Sequence, residues 1–389
     1  MPNAFIPRES HEGETRVAAT PETVKRYAGL GLSVTVQKDA GAASGFLDAD
    51  YAAAGATLGD ASAAASADLV LRVQPPSTEE AKQLKEGAVL VSLVLPSANQ
   101  PIVKELIAGG VSTLAMDLVP RITRAQSMDA LSSQSTVAGY KAVLLGVVEL
   151  RRMCPLLMTA AGTVTPARVV IFGAGVAGLQ AIATAKRLGC VVEATDIRLA
   201  AREQVLSLGG RFIDVPGMED MEDAGGYAKE ASEDFLRRQR EEVAKRVAEA
   251  DLVVTTALVP GRPAPKLVSA EMVRSMKPGS VIVDLAVESG GNCELSEAGA
   301  TVEREGVSIV GVRNLPATVP ATASDLYAKN VLNLIKLFVD KEKGLATDFE
   351  DEVLAGCLLT HKGSVWHGPT AEALGMRVPE KEKTQEASS

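Results

Sequence analysis

Histidine, cysteine and aromatic side chains are all scarce in this chain of 389 residues, and each scarcity closes off a class of function. The three histidines, His11, His361 and His367, lie near the ends, so the long middle of the chain carries none. The four cysteines, Cys154, Cys190, Cys293 and Cys357, stand far apart without a C-x-x-C pair. No His/Cys group has metal-ligand spacing, so no metal site is expected and the thiols are expected to stay reduced. Aromatics make up 3% of the residues and the formal charge is −9, which supplies neither stacking platforms nor a basic surface for nucleic acid. The longest apolar stretch, Ala142 to Leu150, lies between Lys141 and Arg151 and is far shorter than the ~20 residues of a membrane helix. The first residues show no basic region ahead of an apolar core, so no secretory signal is expected and the chain reads as soluble and cytosolic.

What is present is a hydrophobic content of 46%, enough for large cores, in a chain long enough for two domains. Two α/β runs can be read, divided near residues 130 to 165. In the first, short apolar strands (4–7, 33–37, 69–73, 88–93 and 112–115) alternate with helix-like segments. Thr20-Pro21-Glu22 opens one helix with a cap residue and a proline at its first position, and Gly29 ends it. In the second, six strands are expected at 168–172, 191–195, 211–215, 251–256, 280–285 and 307–312. Strands alternating with helices imply two doubly wound, Rossmann-like domains with mostly parallel sheets. The acidic, glycine-containing stretch Met218 to Tyr227 reads as a long loop, followed by a charged helix from about Ala228 to Ala250.

The second run carries a nucleotide fingerprint. Gly173-Ala174-Gly175-Val176-Ala177-Gly178 follows an apolar strand and opens a helix that stops at Gly189, with Lys186 and Arg187 in its last turn. In such a loop Gly173 permits the tight turn, Gly175 lets a pyrophosphate approach the backbone, and Gly178 lets helix and strand pack closely. The phosphates are expected at the positive end of the helix, over Val176 and Ala177. Asp196, with Ile197 and Arg198 after it, ends the next strand, where a carboxylate binds a ribose hydroxyl and repels a 2′-phosphate. NAD(H) is therefore expected on this chain rather than NADP(H). Thr256-Ala257-Leu258 follows the fourth strand, which places it beside the nucleotide at the switch point of the sheet.

Just before this unit lies a polar segment that includes Arg121, Arg124, Gln126, Asp129, Ser132, Ser133 and Gln134. It joins the two domains, where ligand sites are common, and its side chains could hold an amide-bearing ring by hydrogen bonds alone. A dehydrogenase acting on an alcohol or amine must move a proton with each hydride, usually through a positioned side chain such as histidine. Exchange of hydride between two nicotinamides needs no proton transfer. It needs the two C4 atoms held ~3–3.5 Å apart with water kept out.

Arg121-Ile-Thr-Arg-Ala-Gln-Ser-Met-Asp129, Leu131-Ser-Ser-Gln-Ser135, Thr159-Ala-Ala-Gly-Thr163, the glycine loop, Ala224-Gly-Gly-Tyr-Ala-Lys-Glu230 and Asp284-Leu-Ala-Val-Glu-Ser-Gly-Gly-Asn-Cys293 together resemble one family. It is the NAD(H)-binding alpha component of proton-translocating NAD(P) transhydrogenase, and the likeness runs from Ile6 to about His367. The resemblance implies a homodimer attached peripherally to the inner face of a membrane through a membrane-embedded proton-channel subunit. It also implies an NADP(H)-binding partner component, to which hydride passes directly. Carried over by motif, Arg121, Asp129 and Ser132 would hold the nicotinamide amide. Gln126 would reach towards the partner's NADP(H), Tyr227 would ride on a closing loop, and Asp196 would bind the adenosine ribose. The domains implied are 1–130 completed by 320–389, and 131–319. Because the sequence stops at Ser389 without an apolar segment, the membrane part is expected on another polypeptide.

Alanine dehydrogenase, which shares this architecture, is the nearest rival. Its substrate arginine has a counterpart in Arg16, its substrate lysine falls at Arg72, its catalytic histidine falls on or near Leu93, and its catalytic aspartate becomes Glu288. Loss of the histidine argues against amino-acid chemistry and makes Arg16 a structural ion-pair residue. A non-catalytic NAD(H)-sensing module is the other alternative.

Overall fold

The computed structural model describes residues 1–214, 233–258, 262–346 and 349–379. It divides into two compact units, Met1–Ser133 together with the chain from Pro320 onward, and Gln134–Val319. In the first unit, β1 (Asn3–Ile6), β2 (Ser33–Gln37), β3 (Thr57–Gly59), β4 (Leu69–Leu71), β5 (Val89–Ser92) and β6 (Ser112–Ala115) are parallel, in the order β6-β5-β4-β1-β2-β3. The returning segment adds Leu358–His361 antiparallel to β6, then Ser364–Val365 at the edge. β4, β5 and β6 are buried at every position, which is why Leu69–Leu71 and Val89–Val91 read as apolar runs rather than alternating ones. β3 has three partly exposed residues on the outer edge and little apolar content, so no pattern announced it.

Local signals set the helix ends. Thr20 and Thr23 exchange side-chain-to-backbone hydrogen bonds in a capping box at the start of Pro21–Gly29. The returning helix Pro320–Ile335 buries Tyr327, Val331, Leu334 and Ile335 in the same core as Val24 and Tyr27. Among the described residues no helix is long and apolar enough to cross a membrane.

The loops at the carboxyl ends of β1 and β4 enclose a charged cluster. Arg16 donates through Nε (2.8 Å) and Nη2 (2.6 Å) to the two oxygens of the buried Glu14, and Gln74 donates to the same carboxylate. These contacts are those of a structural ion pair, the role expected for Arg16.

Arg72 lies between Glu80 (3.1 Å) and Glu9 (3.8 Å), and Glu9 also accepts from the backbone N–H groups of Val73 and Gln74. Burial pushes the Glu9 carboxyl up to about 7, against the opposing pull of the Arg72 charge and of those two N–H groups. A carboxyl raised in the folded state favours folding below its unfolded value near 4.5, and that contribution is lost as pH rises to about 7. The contribution of Glu9 to the thermal stability of the wild-type chain is therefore expected to fall away between pH 4.5 and 7. In Glu9→Gln that loss should be much smaller, and an identical pH profile for the two proteins would refute the assignment.

The second unit begins with the helix Ala130–Glu149, which straddles the boundary, and a hairpin of β7 (Leu157–Thr159) and β8 (Gly162–Val164). Its sheet contains β9 (Arg168–Phe172), β10 (Val191–Thr195), β11 (Arg211–Phe212), β12 (Leu252–Thr255), β13 (Val281–Asp284), β14 (Thr301–Arg304) and β15 (Val307–Val310). The order is β11-β10-β9-β12-β13-β15-β14, all parallel except β14, which runs antiparallel to β15. The six expected strands thus stand in the doubly wound order, 3-2-1-4-5-6, with the chain reversing direction across the sheet between β9 and β12. Alternate residues of β9 point into different cores, Val169 and Ile171 into one and Val170 and Phe172 into the other. β14 is the strand that sequence patterning misses, because Thr301-Val302-Glu303-Arg304 is a mostly polar edge. Burial pushes the Cys190 thiol up to about 12, with the neighbouring Cys154 adding to it, as expected of an unreactive structural cysteine.

Candidate functional site

The glycine loop joins β9 to the helix Val176–Arg187 at the switch point, where open parallel sheets hold their ligands. Gly173 has φ +91, a conformation that side chains disfavour, and a Cβ there would lie 2.6 Å from Thr256 Oγ1. A Cβ on Gly178 would lie 1.8 Å from the carbonyl oxygen of Gly173, so helix and turn touch backbone to backbone. Gly175 differs from both: nothing lies within 4 Å of the Cβ it lacks, and its φ of −74 is ordinary. It is the N-cap of the helix, with no side chain capping the first turn. Val176, the first helical residue, is exposed and Ala177 is half-buried. Open backbone at a helix start, with Lys186 and Arg187 at the far end, suits a pyrophosphate. The residues present therefore fit a dinucleotide.

Asp196 lies one residue past the end of β10 and is nearly buried. Its Oδ2 accepts from the N–H of Ala174 at 2.7 Å, which ties the carboxylate to the glycine loop. Arg198 folds back on it, donating from its backbone N and Nε to Oδ1 and from Nη2 to Oδ2, all between 2.9 and 3.0 Å. Burial alone would raise this carboxyl, but the hydrogen bonds from Arg198 and Ala174 and the guanidinium charge hold it below the usual range. Asp196 is thus ionised at neutral pH. Ile197, between the two, is half-buried.

Thr256 closes the other side of the loop. Its N–H and its hydroxyl both donate to Phe172 O, at 2.9 and 3.0 Å, and the hydroxyl also lies 3.3 Å from Gly173 O. Ala257 is half-buried and Leu258 is exposed. Sequence reasoning missed what stands behind this segment. Asp284, wholly buried at the end of β13, accepts hydrogen bonds from Thr255, Ser296 and the backbone N–H groups of Ala286, Asn292 and Cys293. The motif from Asp284 to Cys293 marked the stretch in the sequence but did not reveal which groups the carboxylate holds.

The polar segment of the first unit forms a 3-10 helix, Thr123–Met128, ahead of the long helix Ala130–Glu149. Asp129 caps that long helix: its carboxylate accepts from the Ser132 N–H at 2.8 Å and from the Ser132 hydroxyl at 2.6 Å. The structure thus brings Asp129 and Ser132 together. Arg121 and Gln126 are exposed on the same segment, whereas Arg124 pairs with Asp351. Ser133 donates to Asn330 Oδ1 of the returning helix, and Asn330 donates to Ser127 O. All three histidines belong to this first unit. Tyr227 lies outside the described residues.

Comparison with known proteins accounts for both units. The alanine dehydrogenase/PNT N-terminal domain matches residues 5–138, and the alanine dehydrogenase/PNT C-terminal domain matches residues 142–368. The chain is 52% identical over 372 residues to an NAD(P) transhydrogenase subunit alpha polypeptide of Rhodospirillum rubrum, covering 93% of this chain and 97% of that protein. The solved structure of transhydrogenase from Sinorhizobium meliloti is similar with a TM-score of 0.86 and 47% identity, over 93% of this chain and 99% of that one. An L-alanine dehydrogenase structure gives a TM-score of 0.80 at 29% identity, over 96% of this chain and 99% of that one. The chain belongs to the alanine dehydrogenase/PNT family, as a homologue of the NAD(P) transhydrogenase alpha subunits.

Proposed function

We propose that this chain is the NAD(H)-binding component of a proton-translocating transhydrogenase. In this reading it exchanges hydride directly with NADP(H) held on a partner component, and a separate membrane subunit couples the exchange to proton movement. The observation that carries the nucleotide reading is the glycine loop, open over Gly175 and locked at Gly178, with an ionised carboxylate at Asp196 beside it. Bound NAD(H) would supply the hydride-carrying nicotinamide. The chain's own residues would do the rest. The N–H groups at Val176 and Ala177 would face the pyrophosphate, and Asp196 would take the adenosine ribose, with Ile197 and Arg198 beside it. Thr256, Ala257 and Leu258 would pack against the nucleotide, and Tyr227 would close over it.

Arg121, Asp129 and Ser132 would hold the nicotinamide amide. A carboxylate has about four lone pairs, and Ser132 uses two of those on Asp129. Gln126, exposed on its 3-10 helix, would reach towards the partner's NADP(H). None of these groups has to take up a proton, in keeping with exchange between two nicotinamides. The rival chemistry finds less support. Arg16 and Arg72 are engaged by the chain's own carboxylates, and Leu93 is apolar and buried. The likeness to the Rhodospirillum rubrum transhydrogenase subunit supports the transhydrogenase reading. A homodimer is supported by the solvent-facing apolar side chains of Val148, Met153, Leu156 and Met158 around the β7–β8 hairpin. Attachment to the cytoplasmic face of a membrane would then run through the partner subunits.

Two glycine variants separate packing from binding. Gly178→Ala should destabilise the chain by about 1–3 kcal/mol or more through overpacking, read as a lower Tm. Gly175→Ala should leave Tm nearly unchanged but weaken NADH binding about tenfold or more, because its methyl group would stand where phosphate approaches. Unchanged NADH affinity in Gly175→Ala would remove the phosphate from this loop. The function is tested by mixing the chain with an NADP(H)-binding transhydrogenase component and following reduction of an NAD⁺ analogue by NADPH. Transfer is expected in the mixture, none is expected with alanine or pyruvate as substrate, and alanine-dependent NAD⁺ reduction by the chain alone would overturn the reading. In the same assay Gln126→Ala should slow transfer greatly while leaving NADH binding nearly intact. A collapse of NADH affinity would make Gln126 a cofactor ligand instead.

A further inference from the structure

β12 ends at Thr255 and β9 still holds the Thr256 N–H through Phe172 O, but Ala257 lies one step further on and needs another partner to keep Thr256-Ala257-Leu258 in a fixed shape facing the glycine loop. Asn292, from the turn after β13, meets that need. It is wholly buried, and its side-chain amide pairs with Ala257 in both directions: Oδ1 accepts from Ala257 N–H at 3.1 Å, and Nδ2 donates to Ala257 O at 2.9 Å. Nδ2 also donates to Pro265 O at 2.8 Å. The side chain therefore stands in for a neighbouring strand at one residue, using both ends of the amide.

Asn292 is itself held. Its N–H donates to Asp284 Oδ1 at 3.1 Å, and its carbonyl accepts from the N–H groups of Leu267 and Val268. The preceding Gly291 has φ +79, and a Cβ there would lie 2.8 Å from Asp284 Oδ2 and 2.4 Å from Ser296 Oγ. Asp284 also binds the Thr255 hydroxyl, one residue before Thr256. A hydrogen-bonded path thus runs from Asp284 through Asn292 to Ala257, and Thr256 completes it to Phe172 and Gly173.

We propose that Asn292 is a positioning residue for nucleotide binding, clamping Ala257 so that the 256–258 segment is preorganised against the glycine loop. This role rests on the reading that the loop binds NAD(H). Buried hydrogen bonds of this kind are costly to break, because each partner left behind is desolvated and unmatched. A clamp that only stabilised the fold would affect Tm in proportion to any other buried defect, whereas a positioning clamp affects binding beyond that.

The test compares Asn292→Ala with Val281→Ala, a core truncation of a wholly buried residue at the opposite end of β13. Three quantities are measured: NADH affinity by fluorescence titration, Tm, and amide hydrogen exchange at Ala257 in the nucleotide-free chain. Asn292→Ala should raise the Kd for NADH about tenfold and speed exchange at Ala257 by a similar factor. Val281→Ala should lower Tm while leaving both within about twofold of wild type. Asn292→Asp, which keeps the acceptor for Ala257 N–H but not the two donated bonds, should fall between Asn292→Ala and wild type, and it serves if the alanine variant does not fold. An Asn292 variant with wild-type affinity and wild-type exchange would overturn the proposal, and so would equal losses of affinity in Val281→Ala. If the wild-type chain failed to bind NADH, the nucleotide reading would fall, while exchange at Ala257 would still report whether the clamp exists.

Discussion

The contact between Gly178 and the carbonyl oxygen of Gly173 sets the geometry of the second unit's ligand site. With 1.8 Å available to a Cβ at that position, only glycine permits the helix Val176–Arg187 to start where it does. The long helix Ala130–Glu149 depends on a similar approach, since a Cβ on Gly139 would lie 2.0 Å from the carbonyl oxygen of Ala177. These two constraints press the helix start inward from two sides and leave Gly175 as the open position. Asp196 then reaches the loop through the Ala174 N–H, and Thr256 reaches it through Phe172 O. On the proposed reading, nucleotide recognition here would be mostly backbone geometry, with one carboxylate added.

Charge placement divides the two units chemically. In the first, three carboxyl groups and two guanidiniums pair with one another in a largely buried cluster, so Arg16 and Arg72 are both engaged within the chain. In the second, the described groups around the glycine loop are N–H donors, hydroxyls and Asp196, whose carboxyl stays ionised. The second unit contains no histidine, and all three histidines lie in the first.

The doubly wound fold was legible because its central strands are buried on both faces and therefore appear as continuous apolar runs, as in Val169-Val170-Ile171-Phe172. Several peripheral strands were not legible. β3, β14 and the β7–β8 hairpin have short, half-exposed or polar sequences that periodicity cannot separate from loops. At the site, local spacing announced the glycine loop and Asp196, since both sit within one strand-turn-helix. The backfolding of Arg198 onto Asp196, the capping of the long helix by Asp129 and the pairing of Asn292 with Ala257 were hidden. Each depends on where a side chain turns after the backbone is in place. The last of them joins residues 35 positions apart.

The central claim is that hydride passes directly between nicotinamides, one of them held on this chain. The most direct measurement loads the NADP(H)-binding component with NADPH carrying deuterium at the transferred C4 position and mixes it with this chain and an NAD⁺ analogue in ordinary water. Direct transfer predicts that the deuterium arrives undiluted in the reduced analogue, with no hydrogen drawn from solvent. Solvent hydrogen at that carbon, or no reduced analogue at all, would contradict it.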